Sequence, residues 1–182
     1  MMHRGCIEAL TGKASDATTM IAAGIAAWQS SGSIVFVPWY VSHIARACAE
    51  LGNFDEAWRL VGEALSEIER TGETWGESDI HRTAGEIALR APEPDVGKAR
   101  MHFDRALAVA RKQQAKSWEL RAATSLAALW LDQGERDTAR ELLVPVYDWF
   151  TEGFGTRDLQ AAKALLDELS ISRDAQTHLV GR

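Results

Sequence analysis

Small residues recur along this chain in three columns with a period of 40 to 42 residues. The first column contains Ala17, Ala57, Ala99 and Ala139. The second column follows seven residues later and contains Gly24, Ala64, Ala106 and Val146. The third precedes the first by twelve residues and contains Gly5, Ala45, Gly85 and Ala127. All the offsets agree if two residues are inserted at 91–95, Ala-Pro-Glu-Pro-Asp, so the pattern indicates a true repeat with a loop insertion.

The columns also predict secondary structure. A spacing of seven residues is two turns of an α-helix, and small side chains on one helix face let a neighbouring helix approach closely. We predict helices over residues 1–11, 14–31, 34–51, 54–71, 75–91, 95–114, 117–133, 136–151 and 156–170. Glycines stand where helices should end, at Gly12, Gly32, Gly52, Gly72 and Gly134. Short turns between such helices make neighbours antiparallel.

The predicted fold is therefore all-α, an α-solenoid of about nine helices built from antiparallel pairs. Alanine is abundant and runs of β-branched residues are short, which disfavours a sandwich or barrel. We expect one repeat domain over residues 1–182. Its predicted parts are repeats 1–32, 33–73, 74–115 and 116–154, a capping helix at 156–170 and a flexible tail at 171–182.

The arrangement small-x6-Gly-x4-Ala-x6-Ala, carried by Ala45, Gly52, Ala57 and Ala64, resembles the tetratricopeptide repeat (TPR). The period of 40–42 residues is longer than the usual 34. Residues 106–123, 129–134, 143–154 and 158–169 resemble the TPR-like C-terminal regions of certain bacterial regulators. Those proteins join an adenylate/guanylate cyclase or a DNA-binding domain to an AAA/STAND ATPase. The resemblance implies a TPR-like right-handed superhelix with a regulatory role, and it places the catalytic domains upstream of this chain.

Composition and charge exclude several classes of function. The net charge is −6, and an acidic chain is poorly suited to binding a nucleic-acid backbone. Cys6 and Cys48 form no CxxC motif, which favours a reduced, cytoplasmic location. No apolar stretch approaches the roughly 20 residues that a membrane span needs. We expect neither nucleic-acid nor membrane binding.

No catalytic constellation is visible. The segment Gly12-Lys13-Ala14 lacks the upstream glycine and following Ser or Thr of a P-loop, and no HExxH motif is present. Glu77 and His81 are one helical turn apart, which we interpret as a structural pair because no third metal ligand is nearby in sequence. Cys48 is expected to be a buried thiol. We therefore predict that the chain is not an enzyme and has no catalytic, metal-binding or cofactor-binding residues.

The remaining functional surface is the concave groove, which the first helix of each pair lines in a TPR array. Transferring that register predicts eight partner-binding residues: Trp39, Ser42, Arg46, Asp79, Arg82, Glu86, Arg121 and Thr124. We expect Arg46 and Arg82 to share the inner face. Arginine together with an aromatic residue is typical of peptide-binding surfaces. The alternative is that all eight are ordinary solvated positions on a scaffold.

Two functions remain open at this point. The first is a non-catalytic interaction module that binds a protein or peptide partner, or upstream domains of the same polypeptide. The second is a small-ligand sensor that binds an effector in the concave groove. A homodimer is also open, because Ile7 and Leu10 would leave an apolar face at an uncapped end. Trp149, Phe150 and Phe154 are expected to anchor the last helix.

Overall fold

The computed structural model describes residues 19–24, 26 and 36–171. Within these residues every regular element is an α-helix, and no strand occurs. The complete helices are α1 (Val37–Glu50), α2 (Phe54–Thr71), α3 (Glu77–Arg90), α4 (Val96–Lys112), α5 (Lys116–Asp132), α6 (Arg136–Tyr147) and α7 (Arg157–Ser170). Residues 19–24 and 26 are also helical, inside the predicted helix 14–31. The predicted helix 1–11 and residues 172–182 of the predicted tail lie outside the described residues.

The ends of α1 to α7 agree with the predicted ends to within four residues. The largest difference is in α6, which ends at Tyr147 instead of residue 151. Pro145 lies inside this helix and has no N–H, so the last turn lacks one hydrogen bond to the preceding turn. The sequence pattern predicted a helix to residue 151, whereas the helix ends two residues after this proline.

Glycines end three of the described helices in the left-handed conformation, as predicted. Their φ angles are 83° at Gly52, 72° at Gly72 and 83° at Gly134. Gly52 completes a turn in which the amide of Asn53 donates to the carbonyl of Cys48 at 2.8 Å. A side chain at φ near +80° crowds the backbone, so glycine is the least costly residue at these positions. Gly12 and Gly32 lie outside the described residues.

The chain divides into two compact units, residues 1–109 and 110–182. In the first unit α1, α2 and α3 pack on one another, and in the second α5, α6 and α7 do so. The repeat columns form the buried seams of both units. The following column members have at most 6% of their surface exposed: Ala45, Ala57, Ala64, Ala99, Ala106, Ala127, Ala139 and Val146. Gly5 and Ala17 lie outside the described residues.

Gly85 shows why a column position must be small. This glycine is buried on α3, and a Cβ added there would lie 2.4 Å from Cε1 of Phe103 on α4. A real Cβ does not come so close to a ring carbon, so alanine would force the two helices apart or displace the ring. Close helix contact is thus the physical origin of the column.

Contacts between α1 and α3 confirm the repeat. Trp39 bonds Asp79, Arg46 contacts Glu86, and Glu50 bonds Arg90. In each pair the two residues are 40 positions apart, which is the spacing of the sequence columns at this point. Pairs near the start, middle and end of both helices show that α1 and α3 run parallel and in register.

Candidate partner-binding face

Two stripes of polar and aromatic side chains meet where α1 packs beside α3. The stripe on α1 contains Trp39, Ser42, Arg46 and Glu50, and the stripe on α3 contains Asp79, Arg82, Glu86 and Arg90. Spacings of three and four residues keep each stripe on one side of its helix. We call these eight residues the α1–α3 face.

Asp79 lies at the base of this face, with 2% of its surface exposed. Nε1 of Trp39 donates to one carboxylate oxygen at 2.9 Å, and Nε of Arg82 donates to the other at 2.9 Å. Burial opposes ionisation of Asp79, but the charges of Arg82 and His43 and these hydrogen bonds outweigh it. The pKa of Asp79 is therefore below its ordinary value, and the carboxylate stays charged.

Gly76 allows Trp39 to reach this position. A Cβ on Gly76 would lie 2.9 Å from the Cβ of Trp39, so a larger residue there would push the indole away from the start of α3. Trp39 also packs edge-on against Trp75 and His43, with ring centroids 5.6 and 4.4 Å apart. The indole is thus held on both sides, and its N–H is aimed at Asp79.

Glu86 joins the two arginines of the face. Nη1 of Arg82 donates to one of its oxygens, and Nη1 of Arg46 lies 3.6 Å from the other. Arg46 and Arg82 therefore lie on the same side of these two helices, and the expectation that this side is the concave groove stays a prediction. The side chains of Arg82, Arg46 and Glu86 are 13%, 20% and 29% exposed, so Glu86 is the most accessible of the three.

Glu50 and Arg90 extend the face, and the sequence reasoning missed them. Nη1 of Arg90 donates to Glu50 at 3.2 Å, and Glu50 also accepts from Nε of Arg46 at 3.4 Å. Both residues follow a predicted groove residue by four positions and are themselves 40 apart. One helical turn added to Arg46 and to Glu86 would have found them.

Ser42 is also buried, with 0% of its surface exposed. Its hydroxyl donates to the carbonyl of Trp39 at 2.7 Å, within the same helix. Ser42 and Asp79 are therefore the buried members of the face and support the others. Its accessible part is formed by Arg46, Glu50, Glu86 and Arg90.

The last two predicted groove residues lie on α5, in the second compact unit. Nε of Arg121 donates to Asp158 of α7 at 2.6 Å, and its guanidinium lies 5.0 Å from the centre of the Trp118 ring. The hydroxyl of Thr124 donates to the carbonyl of Leu120 at 2.7 Å. Arg121 thus joins α5 to α7, and Thr124 bonds within its own helix.

A pair of histidines connects α3 and α4 in the first unit. Nδ1 of His81 lies 3.1 Å from Nδ1 of His102, so one ring donates and the other accepts. Burial, with the nearby His102 and Arg105, lowers the pKa of His81 to about 4. Glu77, the expected partner of His81, instead accepts from Arg105 at 2.9 Å. Within the described part of the chain no three metal-ligating side chains are grouped together.

Cys48 is buried, with 8% of its surface exposed. Burial raises the pKa of its thiol, and the charge of Glu56 adds to the effect. A thiol that resists ionisation is a poor nucleophile, in agreement with the structural role predicted for it.

The C-terminal aromatic residues do not form the expected anchor. Trp149 and Phe154 have 57% and 47% of their surfaces exposed, so the expectation that they anchor the last helix is wrong. Helix α7 is instead attached through three buried side chains, Leu159, Ala162 and Leu169.

A solved structure shares this architecture. The crystal structure of nearly identical TPR-like repeats of a putative kinesin light chain from Podospora anserina matches with a TM-score of 0.64. The match has 16% sequence identity and covers 92% of this chain and 82% of that one. This chain therefore has a TPR-like helical-repeat fold.

Other comparisons add no family. No family model matches the sequence, and no curated protein matches it significantly. None of the described helices is both long enough and apolar enough to cross a membrane.

Proposed function

We propose that this chain is a non-catalytic interaction module that binds a protein or peptide partner through the α1–α3 face. The observation that supports this most is the pair of cross-repeat ion pairs, Arg46–Glu86 and Arg90–Glu50. The side chains of these pairs are between 20% and 46% exposed, so part of each charged group reaches the surface. A partner can contact the four charges there.

The same pairs are pre-organised for binding. Each side chain is held by a partner on the neighbouring helix, so less conformational freedom is lost when a ligand docks. The accessible part of the face carries two arginines and two glutamates. A partner with both acidic and basic side chains would complement it, and an all-acidic or all-basic segment would be repelled at two of the four positions.

The wider context of the proposal comes from the resemblance of residues 106–123, 129–134, 143–154 and 158–169 to bacterial regulators. We propose that the chain acts in the cytoplasm in signalling or transcriptional regulation. Its partner is then a separate protein or an upstream cyclase, ATPase or DNA-binding domain of the same polypeptide. Homodimer formation through Ile7 and Leu10 stays a prediction, because both residues lie outside the described part.

A small-ligand sensor is the second candidate function. One observation favours it, an open pocket in the second compact unit with two cations and an exposed indole among its lining residues. That pocket contains none of the eight predicted groove residues, so a ligand there would not occupy the predicted position.

The test of the first proposal is a double charge reversal, Arg46→Glu with Arg90→Glu. Partners would be captured with the full chain from cells that express it, and the affinity of each purified candidate would be measured by calorimetry. We expect the reversal to weaken a true partner by at least about tenfold, because it places glutamates beside Glu86 and Glu50.

Arg59→Glu is the matched control. Arg59 is an exposed arginine on α2 that pairs with Glu56 and Glu63, outside the α1–α3 face. We expect this variant to bind within about twofold of the wild type. A partner that binds the double reversal and the wild type equally would contradict the proposed face.

A further inference from the structure

An open pocket of about 590 Å³ lies at the turn between α4 and α5, within the second compact unit. It is lined by Arg111, Gln114, Lys116, Glu119 and Trp149. The turn brings the last residues of α4 beside the first turn of α5, and Trp149 follows the end of α6. All five residues thus come from helix ends and connections.

The pocket carries more positive than negative charge. Glu119, only 6% exposed, accepts from Nε of Arg111 at 3.0 Å and from Nζ of Lys116 at 2.7 Å. Burial opposes ionisation of Glu119, but both cations outweigh it and hold its pKa below the ordinary value. Two cations around one carboxylate leave a net charge of about +1 in the pocket. The cations face solvent, because the side chains of Arg111 and Lys116 are 51% and 37% exposed.

Trp149 supplies a flat apolar wall. Its indole is 57% exposed and is held edge-on by Phe150, with ring centroids 5.1 Å apart and an interplanar angle of 84°. Nζ of Lys116 lies 5.6 Å from the centre of the indole. An exposed ring face beside a cation is the combination that stacks on a flat ring and attracts an attached negative group.

The backbone at Gln114 is a second, independent signal. After α1 and after α5 the chain makes one kind of turn, with Gly52 and Gly134 at φ 83°. The turn after α4 has the same hydrogen bonds: the Ala115 amide donates to Ala110 at 3.0 Å, and that of Gln114 to Arg111 at 3.1 Å. Here, however, glutamine occupies the left-handed position, at φ 55°. Glycine would relieve the backbone strain at this position, so the presence of glutamine indicates a role for its side chain. Gln114 is one of the residues that line the pocket.

We infer that this pocket binds a small anion that carries a flat ring. The indole of Trp149 would stack on the ring, Arg111 and Lys116 would pair with its carboxylate or phosphate, and the amide of Gln114 would hydrogen-bond to its polar edge. The inference rests on the small-ligand alternative and not on partner binding at the α1–α3 face. Its test uses the purified chain alone, so failure of one proposal leaves the other open to its own experiment.

The binding test uses two probes that each carry a flat ring and an anion: 2-naphthoate, a carboxylate, and adenosine 5′-monophosphate, a phosphate whose adenine also has a polar edge for Gln114. Calorimetry with the full chain should give saturable binding of at least one, with Kd below about 5 mM. The matched neutral rings, 2-naphthamide and adenosine, should bind at least about tenfold more weakly, as should acetate and phosphate, which have no ring. If only one of the two acids binds, the site accepts that combination of ring and anion.

Two substitutions test the position of the site, and neither removes a partner of the buried Glu119. Trp149→Ala removes an exposed ring and should weaken binding by about fivefold or more. Gln114→Gly should weaken binding while raising the thermal midpoint, because glycine relieves the strained backbone. The control is Trp75→Ala, an exposed tryptophan of the first unit, which should bind like the wild type.

The inference is overturned if neither acid binds saturably up to about 10 mM. It is also overturned if the neutral rings bind as well as the acids, or if Trp149→Ala and Trp75→Ala weaken binding equally. A Gln114→Gly variant that is more stable and still binds fully would remove Gln114 from the site and contradict its assigned role.

Discussion

The two groups of charges in this molecule, one in each compact unit, are paired in different ways. On the α1–α3 face the carboxylates bond arginines across two helices, and Asp79 is buried beneath them. In the pocket of the second unit Arg111 from the last turn of α4 and Lys116 from the first turn of α5 converge on Glu119, and both cations stay partly exposed. Charges shared between helices hold the repeats in register. Charges gathered at one turn organise only that turn, and their exposed side remains available to a ligand.

The strongest test of this difference removes the central carboxylate from each group. Asp79→Asn should destabilise the protein by about 3 kcal/mol, because Arg82, whose side chain is largely buried, loses one of its two carboxylate partners and keeps only Glu86. Glu119→Gln should cost only about 1 kcal/mol, because Arg111 and Lys116 can turn to water. Urea denaturation of both variants measures the two costs. Equal costs would contradict the distinction between the groups.

The next test measures folding stability as the pH is lowered. The pKa of His81 is about 4 in the folded chain and about 6.5 in the unfolded chain. Below pH 6.5 the unfolded chain takes up a proton that the folded chain does not, so stability should fall by about 3 kcal/mol between pH 6.5 and 4. Burial also lowers the pKa of His102, which adds to the fall in this range. The lowered pKa values of Asp79 and Glu119 add a loss of stability that begins near the unfolded pKa of a carboxyl group and grows toward more acid pH.

His81→Gln provides the check on this pH dependence. Glutamine can still hydrogen-bond to His102 but does not titrate, so the slope of stability between pH 6.5 and 4.5 should become shallower. Hydrogen exchange, corrected for its intrinsic pH dependence, should show α3 loosening before α6, because the described residues of the second unit contain no histidine. Loosening of both helices at the same pH would contradict this.

The third test concerns the close helix contact on which the register of the first unit depends. Gly85→Ala should destabilise the protein by about 2 kcal/mol, because its Cβ would meet the ring of Phe103. Gly62→Ala on α2 is the matched control, with nothing within 4 Å of the new Cβ. That variant should gain about 0.5–1 kcal/mol, because alanine favours the helix. A similar thermal midpoint for both would show that α4 moves aside easily.

The smallest expected effects compare one turn in the two units. Gly52→Ala should cost about 1 kcal/mol, because alanine at φ 83° is strained. Gln114→Gly should gain a similar amount, because glutamine already bears that strain at φ 55°. Thermal unfolding of the two variants should give shifts of opposite sign. A loss of stability in Gln114→Gly would show that the glutamine side chain supports the fold itself.

Much of the fold could be predicted because it repeats. The columns through Ala57, Ala64 and Gly85 set the period, the helix faces and the position of the loop at 91–95. The same period placed Arg46 and Arg82 on one face. One further helical turn would have added Glu50 and Arg90, which are also 40 positions apart and are therefore neighbours in stacked repeats.

Contacts between side chains on different helices could not be predicted from the spacing of residues in the sequence. Glu119 has Lys116 three residues before it on the same helix, but the structure pairs it with Arg111 as well. Arg111 is eight residues away on another helix and reaches Glu119 only because the turn at Gln114 folds back. The contact between His81 and His102 likewise depends on how α3 and α4 face each other.

The amino-acid sequence by itself determined the helical repeat, since small residues every 40 to 42 positions can be buried together only in stacked helices. The tertiary structure alone decided which side chains lie beneath a surface and which lie on it. Ser42 and Asp79 belong to the same stripes as Arg46 and Glu86, yet they are buried. Trp149, one of the most apolar residues, is exposed. Periodicity sets the direction of a side chain, whereas its burial depends on the neighbouring helix that covers it.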